Sequence, residues 1–221
     1  MDVFARIQDM INALIAMVMA LTTTLPAGSP EYLAKFGGHC TTPRSSSVEA
    51  RQNLIVNGSF EQDVDRDGIP DSWHKAGSIQ ANDAIACNRA SNGSCSFHFD
   101  RQEGELTGYV RGLNQNIPVS GKADTKITLS GWSRAKEVRD AHPITPHLSY
   151  VAILTFYDKD GVALPTPDAD EVIDFTEGTH DFEYVERTFT PGVDFYCFDI
   201  GLSFYERGEV WFDDIRLTLN P

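Results

Sequence analysis

Residues 53–73 read NLIVNGSFEQDVDRDGIPDSW, a short apolar run that passes into a carboxylate-rich loop and ends at a tryptophan. Leu54, Ile55 and Val56 have the length and branching of a strand, and Asn57-Gly58-Ser59 is turn chemistry. The same alternation continues to the end of the chain: apolar residues recur in short runs separated by Gly, Pro, Asn and Asp, and no long helical period interrupts them. This pattern predicts strands near 54–56, 77–82, 94–99, 108–117, 126–135, 149–157, 181–190, 195–205 and 209–219. The tight connections DKDG at 158–161 and TPGVD at 190–194 join neighbouring strands. The expected architecture is all-β, an antiparallel two-sheet β-sandwich of the jelly-roll type, over residues 53–221.

Upstream the sequence changes character. Residues 1–21, MDVFARIQDMINALIAMVMAL, contain neither Gly nor Pro and predict a helix. Phe4, Ile7, Ile11, Leu14, Val18 and Leu21 form an a/d seam over about three heptads, the pattern of a parallel self-associating helix. Ile15, Met17 and Met19 widen the apolar surface beyond a two-stranded seam, which favours a trimer or a hydrophobic socket as the partner of residues 4–21. A secretory signal over residues 1–27 is the alternative. Its leader should be basic, whereas Asp2 and Asp9 outnumber Arg6 here. The apolar run from Ala13 to Leu21 is shorter than the roughly 20 residues of a membrane span. Residues 22–52, rich in Thr, Ser, Pro and Gly, read as a connector.

Composition narrows the function classes. A net charge of −14 and a pI near 4.7 speak against nucleic acid, which needs clustered Lys and Arg to release counterions. Acidic surfaces suit divalent cations or neutral ligands such as glycans. The 6 histidines are scattered and neither a Gly-x-Ser-x-Gly nor a His-Glu-x-x-His motif occurs, so no enzyme is expected. The 4 cysteines form no Cys-x-x-Cys pair. Cys87 and Cys95 flank NRASNGS, a loop able to join adjacent strands, and are the expected disulfide. A bond between Cys40 and Cys197 is left open.

Two carboxylate constellations stand out. Asp63, Asp65 and Asp67 alternate before Gly68, with Asp71 beyond, and Ile69 can add its carbonyl. Oxygen ligands at that spacing converge when a loop curls around calcium, although His74 stands where an EF-hand carries its closing glutamate. The competing reading is a solvated acidic turn. In VWFDDIRL at 210–217, alternation places Trp211, Asp213, Ile215 and Leu217 on one face. A carboxylate among apolar neighbours needs a partner or a metal, and Glu61 is available if the first and last strands are adjacent.

NLIVNGSFE with DGIPDSW, SGWSRAK, TFYDKDG and VWFDDIRL, in this order, resemble a carbohydrate-binding-module-like jelly roll of the family 4, 9 and 22 type, over residues 53–220. The resemblance implies a non-catalytic module with a structural calcium, held here by the Ser59 carbonyl and the Glu61 and Asp213 carboxylates. Glycan sites in such folds use exposed aromatic rings with polar flanks. In KITLSGWSRAK, Trp132 shares a polar face with Arg134, which makes it the leading ligand-binding candidate. Tyr109, Arg111, Gln115, Tyr150 and Tyr157 are possible companions. The expected protein is a non-catalytic structural or adhesive component displaying a glycan-binding sandwich through a self-associating helix, as in a phage fibre, a virion decoration or a surface appendage. A secreted module and a purely structural spacer are the alternatives.

Overall fold

The computed structural model describes residues 52–102, 105, 110–139, 150–165 and 172–220. The expected helix over 1–21, the connector apart from Gln52, Cys40 and Tyr109 lie outside the described residues. Among the described residues the elements are β1 (His74–Gly77), β2 (Ala84–Ala86), β3 (Ser96–Arg101), β4 (Arg111–Ile117), β5 (Lys126–Arg139), β6 (Tyr150–Tyr157), β7 (Val172–Asp174), β8 (Gly178–Phe189), β9 (Cys197–Phe204) and β10 (Arg207–Asn220). They form two five-stranded antiparallel sheets, ordered β1-β4-β9-β6-β7 and β2-β3-β10-β5-β8. The expected all-β sandwich is the observed one. No helix among these residues is long and apolar enough to cross a membrane.

Alternation builds the core between the sheets. Phe198, Ile200, Leu202 and Phe204 of β9 face Ile127 and Leu129 of β5 and Phe97 and Phe99 of β3, all fully buried in one apolar cluster. Edge-on aromatic contacts lock the centre: Phe99 and Tyr150 each meet Phe212 in T-shaped geometry.

The last strand departs from simple alternation. Val210 and Phe212 point into the core, and so do Ile215 and Leu217, because β10 shifts register against β5 between Asp213 and Arg216. Asp214 takes a left-handed φ of 46° at this bulge. Trp211 therefore does not share the face of Ile215 and Leu217, as unbroken alternation predicts. It turns outward and is buried by other means.

The first stretch also differs from expectation. Residues 54–56 run beside β10 without forming a regular strand: Leu54 N–H donates to the Leu217 carbonyl at 2.8 Å and Ile215 N–H to the Gly58 carbonyl at 2.9 Å. Left-handed backbone at Asn57 and Phe60 curls the chain away before a ladder can extend. The first and last segments are thus adjacent, the condition on which a pairing of Glu61 with Asp213 depends. The strand expected at 77–82 lies earlier, in β1, because Gly77 turns the chain at a φ of 68°. β2 and β7 were not expected, and at 3 residues each they are too short to show a period.

Gly58 is packed directly on β10, where a Cβ would stand 2.1 Å from the Ile215 carbonyl oxygen. Gly58→Ala is expected to lower the unfolding free energy by about 1–3 kcal/mol, the usual cost of overpacking, as measured by urea denaturation of the full chain.

Candidate functional site

The outer face of the β2-β3-β10-β5-β8 sheet carries the aromatic and charged side chains that alternation removes from the core. The registers arrange them in rows across the strands. His98, Trp211 and Arg134 stand in one row, from β3, β10 and β5. The next row pairs Trp132 of β5 with Tyr184 of β8, and beyond it Arg216, Ser130 and Glu186 align. Thr128 and Thr188 close the face, their hydroxyls 2.8 Å apart.

Trp132 and Tyr184 are the open aromatic pair of this face. Their rings lie 5.4 Å apart at 51°, Trp132 half-buried and Tyr184 49% exposed. The Tyr184 hydroxyl donates to Glu186 Oε2 at 2.6 Å, and Arg216 lays a two-pronged bond on Asp214 at 3.0 and 2.9 Å. Ring faces beside oriented carboxylate, hydroxyl and guanidinium groups can stack on sugar C–H surfaces and bond sugar hydroxyls. Tyr184 follows the same rule that singles out Trp132: it alternates with Val185, Arg187 and Phe189 and falls on the polar phase with Glu186 and Thr188. That signal was present in the sequence, but the charges surrounding Tyr184 hide it.

Trp211 is an outward-facing ring covered by its neighbours. His98 stacks on it at 4.4 Å and 6°, and the Arg89 and Arg134 guanidiniums sit 4.9 and 5.4 Å from its centroid. Arg134 also reaches Asp181 at 3.5 Å. It thus supports the wall beside Trp132 as well as the Trp211 ring.

The other expected ligand contacts do not join this face. Tyr150 is 2% exposed in the core, its hydroxyl donating to the Arg134 carbonyl at 3.3 Å, and burial pushes its phenol pKa up. Arg111 is buried against Asp83 at 2.9 Å and bonds Glu105 and the Asp100 carbonyl. Beside it, burial and then the charge of Arg111 lower the Arg101 guanidinium to about 10. Tyr157 and Gln115 serve the other sheet. The Tyr157 hydroxyl donates to Asp199 at 3.1 Å, and Gln115 bonds both polar groups of the Val56 backbone at 2.8 Å. Strand phase explains these placements: each residue stands on the inward or opposite-sheet phase, which its residue type alone does not reveal.

The Cys87–Cys95 disulfide is formed as expected. Ala86 and Ser96 are register partners, so the next residues outward, Cys87 and Cys95, face one another. The loop it closes is gripped from two sides. Asp213 Oδ2 accepts from Ser91 N at 2.6 Å, Ser91 Oγ at 2.8 Å and Asn92 N at 3.1 Å, and Asp213 Oδ1 accepts from Asp214 N at 2.7 Å. Glu61 Oε1 accepts from Ser94 N and Cys95 N at 2.7 and 2.8 Å. Asp213 is fully buried and burial raises its pKa, against the opposing effect of these donors. Protein donors therefore already compensate the buried charge. Glu61 Oε2 is the oxygen of this pair that carries no donor among the described contacts.

The acidic loop has a different donor balance. Asp63, Asp65 and Asp71 bring one carboxylate oxygen each within 4.8 Å of the others. Asp63 Oδ1 is shut off from solvent without a hydrogen-bond partner, while its Oδ2 accepts from Gly68 N at 3.1 Å. Asp67 turns away, its Oδ1 accepting from Ile69 N at 2.8 Å. The Ile69 side chain is buried and anchors the loop in the core. An oxygen-lined convergence with one unsatisfied carboxylate oxygen fits a hard cation in its donor chemistry.

No protein-family model and no curated protein matches the chain. Solved structures share its fold. The enzymatically active domain of tailspike protein 4 of bacteriophage CBA120 has a TM-score of 0.54 at 16% identity, over 76% of this chain and 21% of that one. An arabinose-bound α-L-arabinofuranosidase has a TM-score of 0.50 at 13% identity, over 80% of this chain and 27% of that one. A family 16 carbohydrate-binding module has a TM-score of 0.47 at 21% identity, over 75% and 99%. At these identities the likeness is one of fold alone, a two-sheet antiparallel β-sandwich.

The His98–Trp211 stack yields a pH dependence. Burial, opposed chiefly by Glu209, holds the His98 imidazole below its usual 6.5. A base depressed on folding contributes stability above the unfolded pKa, and this stability is lost as pH falls through 6.5 toward the folded value. Thermal melts between pH 7.5 and 5.5 should therefore show a smaller acid-induced loss for His98→Gln than for the wild type.

Proposed function

We propose that this protein is a non-catalytic glycan-binding and adhesive component of a virion or extracellular surface assembly, and that the Trp132–Tyr184 pair is its contact with sugar. The observation that carries this reading is the open ring pair on the outer face of β5 and β8, flanked by Ser130, Glu186, Arg216 and Arg134. Its fold is one that binding modules and a tailspike domain also use, which supports the class without identifying the ligand. Residues 4–21 supply the self-association, with a trimer favoured, so several weak sites act together through a high effective concentration.

A glycan array probed with wild type, Trp132→Ala and Tyr184→Ala tests this reading. Binding by the wild type should fall about ten-fold or more in each variant, because a stacking ring truncated at a sugar face removes a dominant contact. Equal signals from all three, or none from any, would leave the purely structural spacer as the better account. Light scattering of the full chain against one lacking residues 1–21 checks the oligomer: loss of the trimer on truncation is expected.

The calcium in this proposal is structural and sits in the 63–71 loop, where Asp63, Asp65 and Asp71 converge. Ser59, Glu61 and Asp213, the ligands implied by the resemblance, are the second position. Chelation is expected to lower the melting temperature of the wild type, since an ion bound only by the folded state stabilises it. In Asp63→Ala the effect of chelation should vanish. Persistence of the effect in Asp63→Ala would move the ion to the second position, and no effect in the wild type would remove calcium altogether.

A further inference from the structure

At one end of the sandwich, the turns after β4, β6 and β8 line an open depression of about 370 Å³ that shares no residue with the Trp132–Tyr184 face. Its floor is fixed to the core. Gly121 and Phe195 exchange backbone hydrogen bonds at 3.1 and 3.0 Å, and the Phe195 ring packs on Phe156 and Phe198 at 4.9 and 5.7 Å. Glycine is required there, because a Cβ on residue 121 would stand 2.3 Å from the Phe195 ring. Tyr196 adds a half-buried aromatic wall, packed on Tyr157.

The polar groups of the cavity bond one another at its exposed rim. Asp194 accepts from Lys122 Nζ at 2.8 Å and from Ala123 N at 3.0 Å. Asp158 Oδ1 accepts from Asp160 N and Val162 N, both at 2.9 Å, which closes the DKDG turn and sets Lys159 at the rim. The cavity is thus lined by two lysines and two aspartates, with Lys159 also paired to Asp160 at 2.8 Å, in a chain of net charge −14.

We infer that this cavity is a second saccharide site, for a neutral monosaccharide or the terminal residue of a neutral glycan. Asp158 and Asp194 disfavour an anion, whereas Lys122 and Lys159 disfavour a cation. Donors and acceptors beside an aromatic wall match a ring of hydroxyls with an apolar face. The volume lies at the small end of the range of about 300–1,000 Å³ for ligand clefts, which suits one sugar unit better than a long chain. The inference rests on the glycan-binding reading for its class of ligand and on none of that reading's residues. Two sites on one domain would let a branched or folded glycan engage both, with a gain in avidity.

Amide NMR titration of the full chain with glucose, galactose, mannose, N-acetylglucosamine and N-acetylgalactosamine tests the site, with glucuronate and inorganic phosphate as anionic probes. At least one neutral sugar should shift Gly121, Asp194 and Tyr196 saturably. Apparent affinity should drop about ten-fold in Tyr196→Ala and in Lys159→Ala. Lys159 is 75% exposed at its side chain, so its variant keeps the test open if Tyr196→Ala does not fold. The shifts should persist in Trp132→Ala, which separates failure here from failure of the outer-face reading. Absence of saturable shifts at these amides, unchanged affinity in Lys159→Ala, or tighter binding of glucuronate than of every neutral sugar would each overturn the inference.

Discussion

The buried carboxylate of Asp213 is the constraint on which much of this sandwich depends. It sits where β10 bulges, and its hydrogen bonds to Ser91, Asn92 and Asp214 tie the last strand to the disulfide-closed loop. Removing an ionised group from water is costly, and several converging N–H and O–H donors offset that cost. The bulge then decides which side chains of β10 reach the core: Phe212 before it and Ile215 after it both point inward. Without that shift, one half of the strand would present its polar phase to the opposite sheet.

The outer face follows from the same arrangement. Because Trp211 is turned outward, it needs cover, and Arg89 from the gripped loop, His98 and Arg134 supply it. One row along, Trp132 is half-buried and Tyr184 49% exposed, which leaves ring surface for stacking. A large ring left open among oriented polar groups is the physical basis of the binding proposal. The end cavity offers a different chemistry, with smaller aromatic area and charges of both signs. The long strands thus provide a flat platform and the turns a pocket, a division that a rigid scaffold makes possible.

The carboxylates near the start of the domain separate into two roles. Glu61 bonds the backbone of the Ser94–Cys95 segment and fastens the loop to the first stretch of the domain. Asp63, Asp65 and Asp71 converge beside it, with one oxygen of Asp63 enclosed and unsatisfied. Both groups accept backbone N–H donors, and the difference is that the enclosed Oδ1 of Asp63 has none and faces two further carboxylates. Converging oxygens with one left unbonded are the donor chemistry that a hard cation completes.

The sequence by itself determined the all-β class, the positions of most long strands and the Cys87–Cys95 bond. These follow from alternation, turn residues and local spacing, all of which act over a few residues. It also placed Trp132 on a polar face, since β5 is regular through that residue. Only the tertiary structure decided that Tyr150 and Arg111 lie inside, that Trp211 faces outward and that Tyr184 completes the aromatic pair. Those outcomes depend on the bulge at Asp213 and on which strand lies beside which. They are set by contacts between residues far apart in the chain, so no local period encodes them.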